Sequence, residues 1–214
     1  MHIPDGFISP QTYLPAFGLS AILVYAAAKR TAFEVERIPF IAGLSALSFI
    51  LMFITIPILG GTSVHLIGVA LMSVLFGPWM GFITLSLVLT LQAFLLGDGG
   101  VTSLPINIIA MAFFGSFSAH YAYRLLHTRF PKSALFAAGY ASILIPSIII
   151  AFALGIQPLI ASDAGKPLYF PFGLDVTLVA VIAPNLLVGA LEGSLTLMIV
   201  GFLHKHFKGL FIEN

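Results

Sequence analysis

The chain has 214 residues, of which 59% are hydrophobic and 8% are charged, and its mean hydropathy is +1.09. Soluble domains carry about a quarter charged residues, so this composition excludes an ordinary soluble protein. The formal net charge is only +1, and the absence of cysteine excludes disulfides and thiolate metal sites. Several apolar stretches reach the roughly 20 residues that cross a hydrocarbon layer about 30 Å thick. The sequence therefore predicts an all-α integral membrane protein.

Residues 1–12 precede the first long apolar stretch. They lack the basic region of a secretory signal peptide, and Pro4 and Pro10 come before any apolar run. We therefore expect Met1 to remain on the mature chain, since removal of an initiator methionine is disfavoured before a bulky residue such as His2.

Seven apolar stretches follow and predict a bundle of seven transmembrane helices within residues 13–203. The stretches cover residues 13–28, 39–59, 64–76, 80–96, 104–125, 134–155 and 174–203. The third is short for a spanning helix, and the seventh contains Pro184, where we expect a kink or a break. The whole chain, residues 1–214, is predicted to form one membrane domain that ends in a tail, residues 204–214.

The basic residues predict how this bundle is oriented. With seven spans, eight of the nine Lys and Arg residues lie on one side of the membrane: Lys29, Arg30, Arg37, Arg124, Arg129, Lys132, Lys205 and Lys208. Only Lys166 lies on the other side. Cytoplasmic loops carry the excess of Lys and Arg. We therefore expect an extracytoplasmic N-terminus and a cytoplasmic C-terminus.

Met1 and His2 offer three nitrogen donors in a row. These are the α-amine, the His2 amide and the imidazole Nδ1, which close a five-membered and a six-membered chelate ring around one ion. A deprotonated amide is a strong planar donor, so such a set suits a square-planar or tetragonal ion such as Ni(II) or Cu(II). One position in the plane stays open for a fourth donor.

His65 is the candidate for that fourth position. It is predicted at the outer end of the third span, just after Gly60 and Gly61, where a flexible turn permits close approach. Ionisable residues at membrane depth are costly and tend to be functional. The alternative is a histidine that only satisfies backbone carbonyls at the start of a helix.

Other polar residues are candidates for supporting roles. Glu192 lies inside the seventh span, where a carboxylate is expensive unless it is hydrogen-bonded. Its possible partners are Asn107, Gln92 and Asn185, and we expect either a structural network or support of the metal ligands. Asp5, on the outer side, and Asn107 are further candidates for support of those ligands.

Two further short motifs stand out, one in a predicted outer loop and one in the second predicted span. Residues 97–100 read Gly-Asp-Gly-Gly, which predicts a tight turn between the fourth and fifth spans. Ala42 and Ala46 have the small-xxx-small spacing that lets another helix approach closely in lipid. The chain has no GxxxxGK[ST] motif and no HExxH motif. We therefore expect no ATPase or other enzyme in this chain.

Five segments closely resemble the CbiM/NikM family, in the same order along the chain. They read MHIPDGFIS, GGTSVHLIG, FGPWMGF, LQAFLLGDGG and LPINIIAM, and the resemblance extends from Met1 to about Phe202. The family comprises the substrate-binding (S) components of energy-coupling factor (ECF) transporters for nickel and cobalt. The resemblance implies seven helices with the N-terminus outside, in a prokaryotic plasma membrane.

The resemblance also implies a site and partners. The metal ligands would be the amine of Met1, the amide and imidazole of His2, and the imidazole of His65. The transported substrate would be Ni2+ or Co2+, with no organic cofactor. Ala42 and Ala46 would dock a transmembrane coupling (T) component. Cytoplasmic ATPase subunits and a small accessory membrane protein would complete the transporter.

The chain departs from the family at two positions, where it has Ala110 and Asn185. These departures affect residues around the ligands and leave nickel and cobalt both open. Three alternatives also stay open: an S component for an organic vitamin, a membrane sensor that binds metal without moving it, and an intramembrane enzyme that uses Glu192 and His120.

Overall fold

The computed structural model describes residues 1–32, 34–58 and 62–206 of the chain. Helices account for most of them: α1 (Pro10–Arg30), α2 (Ile38–Phe53), α3 (Val69–Phe76), α4 (Pro78–Leu91), α5 (Leu104–Asn107), α6 (Gly115–Leu126), α7 (Pro131–Gly155), α8 (Gln157–Ile160) and α9 (Leu174–His206). A 3-10 turn, Val35–Arg37, leads into α2. Two π-helical segments, Gln92–Leu96 and Ile108–Phe114, continue α4 and join α5 to α6.

Five helical segments among the described residues are long and apolar enough to cross a membrane. They are Pro10–Arg30, Val35–Phe53, Pro78–Leu96, Pro131–Ile160 and Leu174–His206. They coincide with the predicted first, second, fourth, sixth and seventh spans. Helical residues also continue from Leu104 to Leu126, across the predicted fifth span. The number of seven spanning helices and the orientation of the termini stay predictions.

The prediction of one helix over residues 64–76 is wrong. Val64 ends a short strand, and α3 has only 8 residues, which is about 12 Å at a rise of 1.5 Å per residue. Gly68, with φ of 75°, precedes the helix and Gly77, with φ of 89°, ends it. Six of its residues are buried. The segment is apolar because protein surrounds it.

The described residues also include two short antiparallel hairpins, so the expectation of helices alone is wrong in this detail. Strand β1 (Ile56–Ile58) pairs with β2 (Thr62–Val64), and β3 (Ser162–Asp163) pairs with β4 (Lys166–Pro167). Both hairpins lie in connections between helices. The chain does not break at Pro184, since α9 continues through this residue as one helix of 33 residues, so of the predicted kink or break the break is wrong.

Helices α7 and α9 approach each other closely at glycines. A Cβ atom added at Gly139 would lie 2.6 Å from the Cα atom of Gly193, and one added at Gly193 would lie 2.6 Å from the Phe136 carbonyl oxygen. Small residues permit such close helix packing within a membrane. This crossing places Glu192, the neighbour of Gly193, in the interior of the bundle.

The N-terminal segment enters the interior of the protein. Met1, Ile3 and Ile8 are 2%, 0% and 2% exposed, and they belong to the same apolar core as residues of α4 and α7. The amide of Ser9, just before α1, donates to Gln157 Oε1 at 2.9 Å. Residues 1–9 therefore form a plug in one end of the bundle.

Candidate metal site

Hydrogen bonds to the backbone of Ile3 fix the position of the plug. The Ile3 amide donates to Asn107 Oδ1 at 3.0 Å, and Asn107 Nδ2 donates to the Ile3 carbonyl at 3.2 Å. The same carbonyl accepts the Gly100 amide at 3.0 Å and the Ser103 hydroxyl. Asn107 thus binds both backbone polar groups of Ile3, the residue after His2, and its support of metal ligands stays a prediction.

Asp5 ties the plug to the loop that follows α4. Its carboxylate accepts the amides of Val101 at 3.0 Å and Thr102 at 2.8 Å, and also the Thr102 hydroxyl. Partial burial acts to raise the pKa of Asp5, but these hydrogen bonds outweigh it and hold that pKa below its ordinary value. Asp5, three residues after His2, thus binds the N-terminal segment to the loop that contains Asp98.

The glycines of the 97–100 turn serve close approach to the plug. A Cβ atom at Gly99 would lie 3.2 Å from His2 Cδ2, and one at Gly100 would collide with the backbone nitrogen of Asp5. Gly97 and Gly99 also have φ of 68° and 75°, in the left-handed region that favours glycine. Residues 97–100 contain a bend at Gly99 rather than a tight turn, a turn follows at residues 101–103, and this loop contacts the N-terminal segment.

His2 and His65 meet within the protein. Their rings are stacked, with centroids 4.8 Å apart and an interplanar angle of 26°. The two residues are 5% and 1% exposed. Residues 63 positions apart in sequence therefore place their imidazoles side by side, next to the N-terminal amine.

The two nitrogens of His65 have different surroundings. Nδ1 lies 2.9 Å from the carbonyl oxygen of Leu66, to which it donates in the tautomer that satisfies this contact. Nε2 is then an acceptor, and it is buried without a hydrogen-bond partner among the described residues. Metal-binding histidines commonly donate one ring N–H to a carbonyl and keep the other nitrogen for the metal. The alternative, a histidine that only satisfies backbone carbonyls, accounts for Nδ1 and its contact with Leu66 but leaves Nε2 without a role.

Asp98 is part of this site and was not among the predicted residues. Its Oδ1 lies 3.4 Å from His2 Nδ1, a long contact between a half-buried carboxylate and a buried ring. The interaction with His2 lowers the pKa of Asp98 despite the opposing effect of burial. The sequence could have indicated this contact, because Asp98 lies in a glycine-rich loop that is predicted on the same side of the membrane as His2.

Burial also determines the charge of the N-terminal nitrogens. It lowers the pKa of the Met1 amine to about 4, and the nearby Asp98 carboxylate opposes this only in part. Burial likewise lowers the pKa of His2, again against the effect of Asp98. An uncharged amine and an uncharged imidazole each carry a lone pair, which is the form that binds a cation.

Glu192 supports the segment that carries His65. Its carboxylate accepts the amides of Ile67 at 3.0 Å and Gly68 at 2.7 Å, two and three residues after His65. Of its predicted amide partners, Asn185 donates to the Val181 carbonyl of its own helix instead. The partners of Glu192 are thus backbone amides, which hydropathy and motif analysis do not predict.

We expect Glu192→Gln to destabilise the protein by about 1–3 kcal/mol, the cost of leaving one buried amide unsatisfied. The substituted side chain keeps one acceptor oxygen, and its NH2 group would face the second backbone N–H. The free energy of unfolding, measured by detergent titration, checks this. Glu36→Gln is the control, because Glu36 is an exposed carboxylate. Equal effects of the two substitutions would contradict the role of Glu192.

The other predicted residues lie away from these ligands. His120 is half-buried, with Nδ1 3.3 Å from the Ser73 carbonyl, so it and Glu192 have different partners. Ala42 and Ala46 are exposed on α2. Within the described ranges, no group of three or more His, Cys, Asp or Glu side chains is arranged to hold a metal ion. Any site at His2 and His65 therefore depends on backbone and terminal nitrogens.

Comparison with known proteins identifies the family. Residues 2–209 match the CbiM family model, described as a cobalt uptake substrate-specific transmembrane region. A crystal structure of a truncated transition metal transporter has 37% sequence identity and a TM-score of 0.92, covering 96% of this chain and 99% of that chain.

Relatives differ in length from this chain. The fused nickel transport protein NikMN of Rhodobacter capsulatus is 33% identical over 215 residues, which cover 96% of this chain and 62% of that protein. LarMN of Lactiplantibacillus plantarum is 34% identical, and the chain spans 65% of it. The cobalt transport protein CbiM of Thermosipho melanesiensis is 27% identical and covers 100% of this chain and 91% of that protein. The chain is a multi-pass membrane protein and belongs to the CbiM family.

Proposed function

We propose that this protein is the metal-capturing, substrate-specific subunit of an ATP-driven ECF-type uptake transporter for nickel or cobalt. The observation that carries the proposal is the meeting of the Met1–His2 terminus with His65, whose Nε2 has no other described partner. The amine of Met1, the amide and Nδ1 of His2, and Nε2 of His65 supply four nitrogens for one divalent ion. The names of the relatives support uptake of nickel or cobalt.

The plug explains how such a site stays selective. Asn107 and Asp5 hold the N-terminal segment inside the bundle, and Glu192 holds the segment after His65. Ligands held from two sides favour ions that accept a planar nitrogen set. Asp98 would first balance the charge of the arriving cation, and its contact with His2 Nδ1 must lengthen when that nitrogen binds the ion.

Transport requires partners that this chain does not supply. We expect a transmembrane T component, cytoplasmic ATPase subunits and a small accessory membrane protein. The exposed Ala42 and Ala46 on α2 support a helix-docking surface for the T component. The extracytoplasmic N-terminus, which the charge pattern predicts, would place the plug where ions arrive.

The alternatives have less support. A vitamin-binding S component does not need the Met1–His2 chelate, and an enzyme that uses Glu192 with His120 does not agree with their separate partners. A sensor would share the same metal site. Reconstitution in vesicles with the T component and the ATPase subunits separates the last case, because only a transporter accumulates metal when ATP is supplied.

Binding of Ni2+ and of Co2+ by the untagged protein is expected to weaken as the pH falls. Coordination through the His2 amide releases one proton, so the association constant should decrease about tenfold per unit of pH. Equilibrium titrations between pH 6 and 8 check this, with proton release measured in weakly buffered solution. Affinity that does not change over that range would exclude the amide as a ligand.

A further inference from the structure

The segment that carries His65 is held at Gly68, three residues further along the chain. The Gly68 amide donates to Glu192 Oε1 at 2.7 Å, and its carbonyl oxygen accepts the Leu71 amide at 3.2 Å. A Cβ atom added at Gly68 would lie 2.6 Å from Ser48 Oγ and 3.3 Å from Ser48 Cα. Gly68 therefore contacts both α9, through Glu192, and α2, through Ser48, so a shift of either helix is expected to move it.

The hydroxyl of Ser48 has no hydrogen-bond partner in the described part of the chain, although Ser48 is 0% exposed. Three residues earlier on the same helix, Ser45 Oγ donates to the Ile41 carbonyl at 2.7 Å, which is a common bond of a serine within a helix. A buried hydroxyl that lacks this bond costs stability. An unsatisfied buried donor is a reservoir of strain, which is relieved if a shift of α2 brings the hydroxyl to an acceptor.

Helix α2 is attached to the bundle along one narrow side. Only four of its 16 residues are buried, and Ser48 is one of them, whereas Ala42 and Ala46 are exposed. With 3.6 residues per turn, Ala46 and Ser48 point about 160° apart around the helix axis. A partner helix that docks at Ala46 therefore presses on α2 from the side opposite to Ser48 and Gly68.

We propose that Ser48 is a positioning residue for the metal site. Through its contact with Gly68 it makes the position of His65 depend on the position of α2, so a partner that docks on α2 lowers the affinity for the ion. This inference rests on the proposed function, which places the ion at His65 and the T component on α2. By linkage, the ion and the partner then weaken each other's binding by the same factor.

A double-mutant cycle on the untagged full chain tests the contact between Ser48 and Gly68. Gly68→Ala adds a Cβ atom 2.6 Å from Ser48 Oγ, and it should weaken Ni2+ binding by about 10–100-fold, the usual cost of losing support of a metal ligand. Adding Ser48→Ala to that chain removes the oxygen and should restore the affinity at least about fivefold, although a φ of 75° still strains any side chain at position 68. Ser45→Ala, the matched control on the same helix, should restore nothing.

The second measurement compares binding of the purified T component by the metal-loaded and the metal-free chain in nanodiscs. The two dissociation constants of the native chain should differ by at least about fivefold, the lower end of the coupling between two linked sites. Ser48→Ala should bring their ratio close to one, and Ser45→Ala should leave it unchanged. A serine that only packs between helices would not alter this ratio.

Circular dichroism and size-exclusion elution show which variants are folded. If Gly68→Ala does not fold, Ser48→Val takes its place, because it enlarges the side chain at the same contact. Weaker Ni2+ binding by Ser48→Val supports the proposal, and native affinity overturns it. Equal effects of Ser48→Ala and Ser45→Ala in the Gly68→Ala chain overturn it as well, and so does a native ratio in Ser48→Ala.

His65→Leu separates this inference from the proposed function. If His65→Leu abolishes Ni2+ binding while any of the overturning results is found, the inference at Ser48 alone is wrong. If His65→Leu leaves Ni2+ binding unchanged, the proposed function is wrong and the inference at Ser48 is wrong with it.

Discussion

A chain with an N-terminal tag of several residues before Met1 is expected to bind Ni2+ and Co2+ more than about 100-fold less tightly than the native chain. An added peptide bond converts the Met1 amine to an amide and removes its basic lone pair. Loss of groups that merely support metal ligands already costs about 10–100-fold in affinity. Loss of a ligand should therefore cost more.

Steric exclusion adds to the chemical effect. Met1 is 2% exposed, and its sulfur accepts the Ser147 hydroxyl at 3.0 Å, so a longer N-terminus cannot extend into solvent from its present position. The plug would have to leave the bundle and give up the hydrogen bonds at Ile3 and Asp5. We expect the extended chain to lose stability as well as metal binding.

Two controls separate chemistry from packing. The same residues appended after Asn214 should leave the affinity unchanged, because they do not alter the N-terminal nitrogens. Asn107→Ala leaves the amine intact and only loosens the plug, so its affinity should fall by less than that of the extended chain. Isothermal titration with each protein gives the comparison. A chain with an N-terminal tag that binds as tightly as the native protein would remove Met1 from the ligand set.

The sequence predicted that His65 lies near the N-terminus, because the charge pattern places both on one side of the bundle. That these residues bind one ion stays a prediction. Three adjacent nitrogens at Met1–His2 and a single histidine on the same predicted side led to His65, and the rings do stack. The hydrogen bonds that hold the plug, at Asn107 and in the loop that contains Asp98, could not be predicted in detail, because they join segments that are about 100 residues apart in the chain.

Hydropathy failed at the third span for a definite reason. It reports that a segment avoids water, not whether lipid or protein replaces the water. Val69 and Leu71 are 0% and 1% exposed inside the bundle, and two glycines with positive φ limit α3 to two turns. The sequence indicates that burying the Glu192 carboxylate costs free energy. Its backbone partners, the amides of Ile67 and Gly68, could not be predicted, because they depend on the contact between α9 and the segment before α3.

His65→Leu is expected to abolish high-affinity metal binding and to leave the stability of the metal-free protein almost unchanged. The substitution removes the fourth nitrogen, so the affinity should fall by more than about 100-fold. It also removes a hydrogen bond to Leu66 worth about 1 kcal/mol, but at the same time it removes a buried Nε2 that lacks a described partner. Such a group costs about 1–3 kcal/mol to bury, so the two effects on stability largely offset each other.

A histidine with only a structural role should affect the stability of the metal-free protein and not the metal affinity. His120→Leu removes a half-buried ring that contacts the Ser73 carbonyl and lies outside the proposed ligand set, so it should leave the metal affinity unchanged. Titrations with Ni2+ and Co2+, together with unfolding of the metal-free proteins, give both quantities for both variants. If His65→Leu lowers stability by several kcal/mol while the remaining folded protein still binds metal tightly, His65 is a packing residue. A loss of affinity without a loss of stability assigns its free nitrogen to the ion.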